Sequence, residues 1–181
     1  MKNDKIFKNI KVLTTASLLA AMSVVIGIFC KSLLNFGDGL FRITFENLPI
    51  ILSGIIYGPV VGAIVGLLSD IISYLLSPQT YPINLVVTVG AGVIGLVSGI
   101  VSKYFLKKID LKQIITATFA SHMIGSVIIK SIGLFAFYQW AVLFRIPTYL
   151  VIAFVEAAII WLLYSKSSFR RLVDEARKEI L

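Results

Sequence analysis

Apolar residues in this 181-residue chain fall in long unbroken runs, without the strict alternation of half-buried strands. Six runs stand out, at about 12–34, 43–57, 59–76, 83–105, 114–137 and 145–164, followed by a polar tail at 165–181. Runs of this length predict membrane-crossing helices, and their continuity argues against a β-barrel, whose strands alternate. The predicted fold class is an all-α membrane protein of six transmembrane helices in one integral-membrane domain, 1–181. The second run is short, with Arg42 and Glu46 at one end and Pro49 inside it. Interrupted helices of that kind occur where backbone lines a cavity.

The third run, GPVVGAIVGLLSDIISYLL, is the most informative. Gly58, Gly62 and Gly66 recur every four residues, and the next position in that register is Asp70. Small residues at this spacing let a neighbouring helix approach closely. A carboxylate in hydrocarbon is costly, so Asp70 is expected to face protein, water or a ligand. It either pairs with a nearby lysine or binds a ligand or ion. Ala91, Gly95 and Gly99 repeat the spacing in the fourth run.

Composition supports the membrane class. Hydrophobic residues make up 58% of the chain, charged residues 14%, and mean hydropathy is +0.95, which excludes an ordinary soluble domain. One cysteine, Cys30, and one histidine, His122, leave no basis for a disulfide or a metal cage. The net charge of +8 would suggest nucleic acid in a soluble protein, but its distribution points elsewhere. Thirteen of 17 Lys and Arg residues lie in the N-terminal arm, the segment after run four and the tail. Cytoplasmic segments are rich in these residues, so both termini are placed inside, as six crossings require. The first helix is read as uncleaved, because its apolar part is too long for a signal peptide and further spans follow.

That topology sorts the remaining charges by depth. Asp70 and Lys130 lie about six residues, or ~9 Å, from the outer ends of their helices. Arg42, Glu46 and Arg145 sit at outer ends, Asn84 opens run four, and Glu156 is deeper. Polar groups thus gather in the outer half, which suggests a pocket open to the outside instead of a continuous channel. Arg42, Lys130 and Arg145 suit carboxylates, and Asp70 suits a paired N–H donor. Tyr74, Tyr81, Tyr138, Trp140 and Tyr149 offer flat surfaces for stacking, or an interfacial belt. His122 reads as a satisfied interior histidine. The candidate binding set is Arg42, Asp70, Tyr74, Asn84, Lys130, Gln139, Arg145 and Tyr149. In run one, Ala16 and Ala20 form a small-xxx-small face for internal packing or for docking a membrane partner. There is no P-loop and no nucleophile–base motif, so no enzyme activity and no ATP hydrolysis is predicted for this chain.

FRITFENLP, GPVVGAIVGLLSDIISYLLSP and the AxxxA of run one together resemble the substrate-binding S components of energy-coupling factor (ECF) vitamin transporters, and within them the folate family (FolT-like). The resemblance covers nearly the whole chain. It implies a multi-pass cell-membrane protein that binds a vitamin, here folate or a related pterin, in an outward pocket. Loops at about 31–42, 77–83 and 138–147 would cap that pocket. It implies docking through Ala16 and Ala20 onto a transmembrane coupling subunit (EcfT-like) that carries two ATPase subunits. The S component then reorients in the membrane, with no cofactor of its own. Folate would present its pterin edge to Asp70 and its glutamate carboxylates to a basic rim.

Other readings use the same residues. The vitamin could be pantothenate or thiamine within the same family. A stand-alone ion-coupled carrier would use the same carboxylates, and an intramembrane enzyme would use Asp70 or Glu156 as acid or base.

Overall fold

The computed structural model describes residues 9–36, 41–76, 83–106 and 108–178, without the side chains at 35–36 and 41–42. Helix α1 (Ile10–Leu33) is opened by Asn9, whose side chain accepts a hydrogen bond from the Lys11 backbone N–H at 3.0 Å. A two-residue antiparallel ladder follows, β1 (Asn35–Phe36) with β2 (Phe41–Arg42). The described residues are otherwise helical. Helix α2 (Asn47–Tyr57) starts at Asn47 and not near 43, because the Leu48 N–H closes a turn on Phe45 O at 3.1 Å. Pro49 therefore lies in the first turn, where its missing N–H breaks no intrahelical bond. The expected interruption inside this helix is absent. At 11 residues α2 covers only about 16 Å of a ~30 Å hydrocarbon layer. It is buried on every side, as a helix that is apolar all round must be.

Gly58 ends α2 with φ of 89°, a conformation that costs glycine little, and α3 (Pro59–Leu76) begins directly after it. Helix α4 (Leu85–Ile100) runs on into a π-helical turn, Val101–Phe105. Helix α5 is one rod in three segments: Leu111–Ser121, a π-helical stretch at His122–Lys130, and Ser131–Tyr138. A 3-10 segment, Gln139–Phe144, leads into α6 (Arg145–Ser165), and α7 (Ser167–Lys178) forms the tail. By length and apolarity α1, α3, α4 with its π-helical turn (Leu85–Phe105), and the stretch Leu111–Ser165 that runs from α5 through α6 can each cross a membrane. With short α2 these make six apolar helices. Large apolar side chains such as Val25, Leu75, Phe105 and Phe154 point outward, as lipid-facing positions do.

The tightest packing lies between α3 and α4. A Cβ on Gly95 would overlap the Gly62 carbonyl, one on Gly66 would overlap the Ala91 carbonyl, and one on Gly99 would overlap Pro59. The helices touch backbone to backbone, which is what the four-residue glycine spacing permits. The register continues into chemistry: one turn beyond Gly66, Asp70 meets Thr88 of α4.

At the end of the bundle holding the tail, α7 lays Val173 and Arg177 against the other helices. The Arg177 guanidinium donates to Ser102 O at 3.4 Å, and Gln113 donates to the same carbonyl at 3.3 Å and to Leu106 O. Ser102 Oγ donates to Ile55 O at 3.0 Å. These side chains satisfy carbonyls left over where α2 and α4 end. Burial holds the Arg177 guanidinium below its ordinary pKa.

Candidate functional site

The opposite end of the bundle contains a cleft of about 650 Å³, counting the part open to solvent. The C-terminal parts of α1, α3 and α5 and the N-terminal parts of α2, α4 and α6 enclose it. Six of the eight predicted binding residues line it: Asp70, Tyr74, Asn84, Lys130, Arg145 and Tyr149.

Asp70 accepts a hydrogen bond from Thr88 Oγ1 at 2.7 Å. Because this bond spans the glycine seam, the carboxylate is fixed by the same contact that locks α3 to α4. Asn84 caps α4, its side-chain oxygen accepting from the backbone N–H groups of Val86 (3.0 Å) and Val87 (3.4 Å). Its amide donates to Gly133 O of α5, so Asn84 frames the cleft structurally as well as lining it. Lys130 is only 6% exposed. Its ammonium donates to Asn47 Oδ1 at 3.3 Å and lies 3.8 Å from Glu46 Oε1. The partner is thus Glu46, and neither Asp70 nor Glu156. Arg145, at the start of α6, is buried and sits 5.0 Å from the centre of the Tyr138 ring.

Two candidates fall elsewhere. Gln139 is exposed, with φ of 49°, and makes the turn between α5 and the 3-10 segment outside the cleft lining. Trp140 is 73% exposed and stacks edge-on against Phe135. The Arg42 side chain and Tyr81 lie outside the described residues, as do 37–40 and 77–82 of the predicted capping loops.

The sequence reading left Lys31, Thr44, Asn47 and Thr88 out of the site and placed Glu46 only at a helix end. All five line the cleft. Thr88 had a usable signal, since it lies one turn from Asn84 on the face that meets Asp70. Glu46 lies at the crossing of α1 and α2: Ser23 donates to its carbonyl at 2.6 Å, and a Cβ at Gly27 would come within 2.7 Å of its carboxylate.

Below the cleft, His122 Nε2 lies 2.7 Å from Glu156 Oε2, with both side chains fully buried, and Ser126 Oγ is 3.2 Å from the other imidazole nitrogen. His122 is indeed a satisfied interior histidine. On α1, Ala20 is 7% exposed and receives a hydrogen bond at its carbonyl from Ser69 of α3. It faces the bundle interior and offers no outward surface, whereas Ala16 is half-buried and Ser17 and Ala21 are exposed. Among the described residues no group of three or more His, Cys, Asp or Glu side chains could hold a metal ion.

The fold and the cleft define a helical integral-membrane protein with a polar cleft at one end of its bundle. The sequence pattern of the family described as "ECF transporter, substrate-specific component" matches residues 11–166. The chain belongs to this family, whose members are substrate-binding subunits of transporters. Among solved structures, a crystal structure of FolT bound with folic acid superposes with a TM-score of 0.68 at 20% identity, covering 88% of this chain and 95% of that one. At that identity the likeness concerns the fold. No curated protein sequence matches the chain.

Proposed function

We propose that this protein is the folate-binding S component of an ECF-type, ATP-driven vitamin uptake transporter in the cell membrane. The observation that carries the reading is Asp70, held by Thr88 at the inner part of a cleft whose walls bear Lys31, Lys130 and Arg145. A fixed carboxylate matches the adjacent N–H donors of a pterin, and the cations match the glutamate carboxylates. Tyr74 and Tyr149 supply rings in the same cleft. Family membership and the folic acid complex of the FolT relative support the choice of ligand.

In this reading the basic ends of the chain face the cytoplasm and the cleft opens outward. ATP is hydrolysed by two partner subunits on a transmembrane coupling subunit. Of the two alanines assigned to docking, only Ala16 reaches the surface of α1.

The test is calorimetric titration of folic acid into the detergent-purified protein, since exposed Trp140 is a poor optical reporter. One ligand per chain at submicromolar concentration is the expected result. Binding of pantothenate or thiamine with no binding of folic acid would refute the folate assignment.

A further inference from the structure

Helices α5 and α6 enclose a polar pair that lies outside the cleft and has no part in its lining. His122 Nε2 is 2.7 Å from Glu156 Oε2, and both side chains are fully buried. The other imidazole nitrogen, Nδ1, is 3.2 Å from Ser126 Oγ. Glu156 Oε1 is buried with no hydrogen-bond partner among the described residues.

Two proton counts keep these contacts. With one proton, Nε2–H donates to the carboxylate, Nδ1 accepts from the Ser126 hydroxyl, and the pair carries one negative charge. With two, a proton lies between Nε2 and Oε2, Nδ1–H donates to Ser126 Oγ, and the pair is neutral overall. A bare oxygen on a buried carboxylate is costly, and the second proton removes the net charge that makes it so.

The pair is in electrical reach of the cleft. Ser126 stands about one turn from His122 and one turn from Lys130 on α5, and a π-helical stretch joins the three. The charged groups facing Glu156 are His122 and Lys130 from α5 and Glu46 from the segment ahead of α2. Lys130 and Glu46 also line the cleft, 3.8 Å apart.

We propose that His122 and Glu156 form an interior proton site linked to the cleft, so that binding of an anionic ligand is accompanied by uptake of a proton from solvent. The proposal rests on the folate reading for its ligand and assigns a role to groups which that reading leaves idle. A ligand carboxylate that engages Lys130 cancels the positive charge facing Glu156, and expelling water from the cleft strengthens the field of Glu46. Both changes favour the neutral, two-proton pair. The coupling is reciprocal: affinity falls as pH rises, by at most about tenfold per pH unit for one proton.

The test makes two measurements on the intact purified protein. The chain holds one histidine, so isotopic labelling of histidine gives one imidazole, whose nitrogen NMR shifts report tautomer and protonation. The expected result is an imidazole that titrates, with folic acid raising the two-proton fraction at fixed pH. Calorimetry of folic acid in buffers of different ionisation enthalpy should show net proton uptake by the wild type. That uptake should be lost in Glu156→Gln, which keeps an acceptor for Nε2–H and cannot hold a negative charge. The double change His122→Phe with Glu156→Leu replaces it if Glu156→Gln fails to fold. An imidazole unchanged between about pH 5 and about pH 8 overturns the proposal. So does proton uptake that is absent from the wild type or undiminished in the folded variants. A wild type that binds no folic acid refutes the folate reading instead, and the proton site is then judged by the imidazole titration alone.

Discussion

Replacing Gly95 by Ala tests the link between the glycine seam and the site. The added Cβ would overlap the Gly62 carbonyl oxygen and lie 2.9 Å from Gly62 Cα. Both are backbone atoms and neither can swing aside, so α3 and α4 must part by roughly 1 Å to restore van der Waals contact. Overpacking of this kind costs about 1–3 kcal/mol, which for a chain of this length lowers Tm by about 2–12 °C. The Asp70–Thr88 bond, at 2.7 Å, crosses the same seam two turns away and would lengthen beyond hydrogen-bond range if the helices separate as rigid rods. Folic acid affinity should then fall along with Tm. Gly92→Ala is the milder comparison, because its Cβ would press on the Leu67 side chain, at 2.8 Å from Cγ, and would reach backbone only at Ala63 O, 3.5 Å away, an ordinary contact. The assay is thermal melting of purified protein with and without folic acid, combined with titration. If Gly95→Ala melts and binds as Gly92→Ala does, the reasoning from backbone contact to site geometry is wrong.

Asp70→Asn should weaken folic acid about ten- to hundredfold by titration. Thr88→Val should cost less and should add little in the Asp70→Asn background, since the hydroxyl acts through the carboxylate; additive losses would show that Thr88 touches ligand independently. Glu156→Ala leaves His122 Nε2 without its buried partner and should cost about 1–3 kcal/mol. The double change His122→Phe with Glu156→Leu should melt closer to the wild type, and equal losses would mean that the pair is not what holds α5 to α6 at this level. Ala20→Trp should lower Tm and reduce ligand binding, because Ala20 packs inward beneath Ser69, whereas Ala21→Trp on the exposed side should leave both unchanged. A stable Ala20→Trp protein would place that residue on the surface.

Much of the helical scaffold was legible because hydrocarbon imposes a single rule, that backbone polar groups be satisfied within the helix. Apolar run length therefore located the helices, and the glycine spacing located the seam, where Asp70 continues the register. Tertiary detail was less legible. Run length could not distinguish a turn at Thr44 to Glu46 from the first turn of α2, so Pro49 read as an interruption. Charge order along the chain pointed Lys130 to Asp70 or Glu156 and passed over Glu46, which it placed at an outer helix end. The answer depends on Gly27 and Ser23 of α1, distant in sequence. Gln139 failed for a local reason: a positive φ turned it out of the cleft, and nothing in Tyr-Gln-Trp signals that. Ala20 failed because small-xxx-small spacing marks a close approach without saying to which neighbour. Here the neighbour is α3 of the same chain.

The placement of charge follows the mechanics of the bundle. The acceptors of the site, Glu46 and Asn47 at the start of α2, Asp70 on α3 and Thr88 on α4, belong to helices joined by backbone contacts at Gly54, Gly62, Gly95 and Gly99. The cations Lys31, Lys130 and Arg145 come from α1, α5 and α6. A carboxylate that must meet two N–H donors at fixed spacing gains from a support that cannot flex, since misplacement by a fraction of an ångström forfeits a short hydrogen bond. A lysine ammonium on its flexible stem adjusts to a carboxylate in more geometries than the planar fork of an arginine does. The acceptors thus stand on the helices of the glycine seam and the cations on α1, α5 and α6.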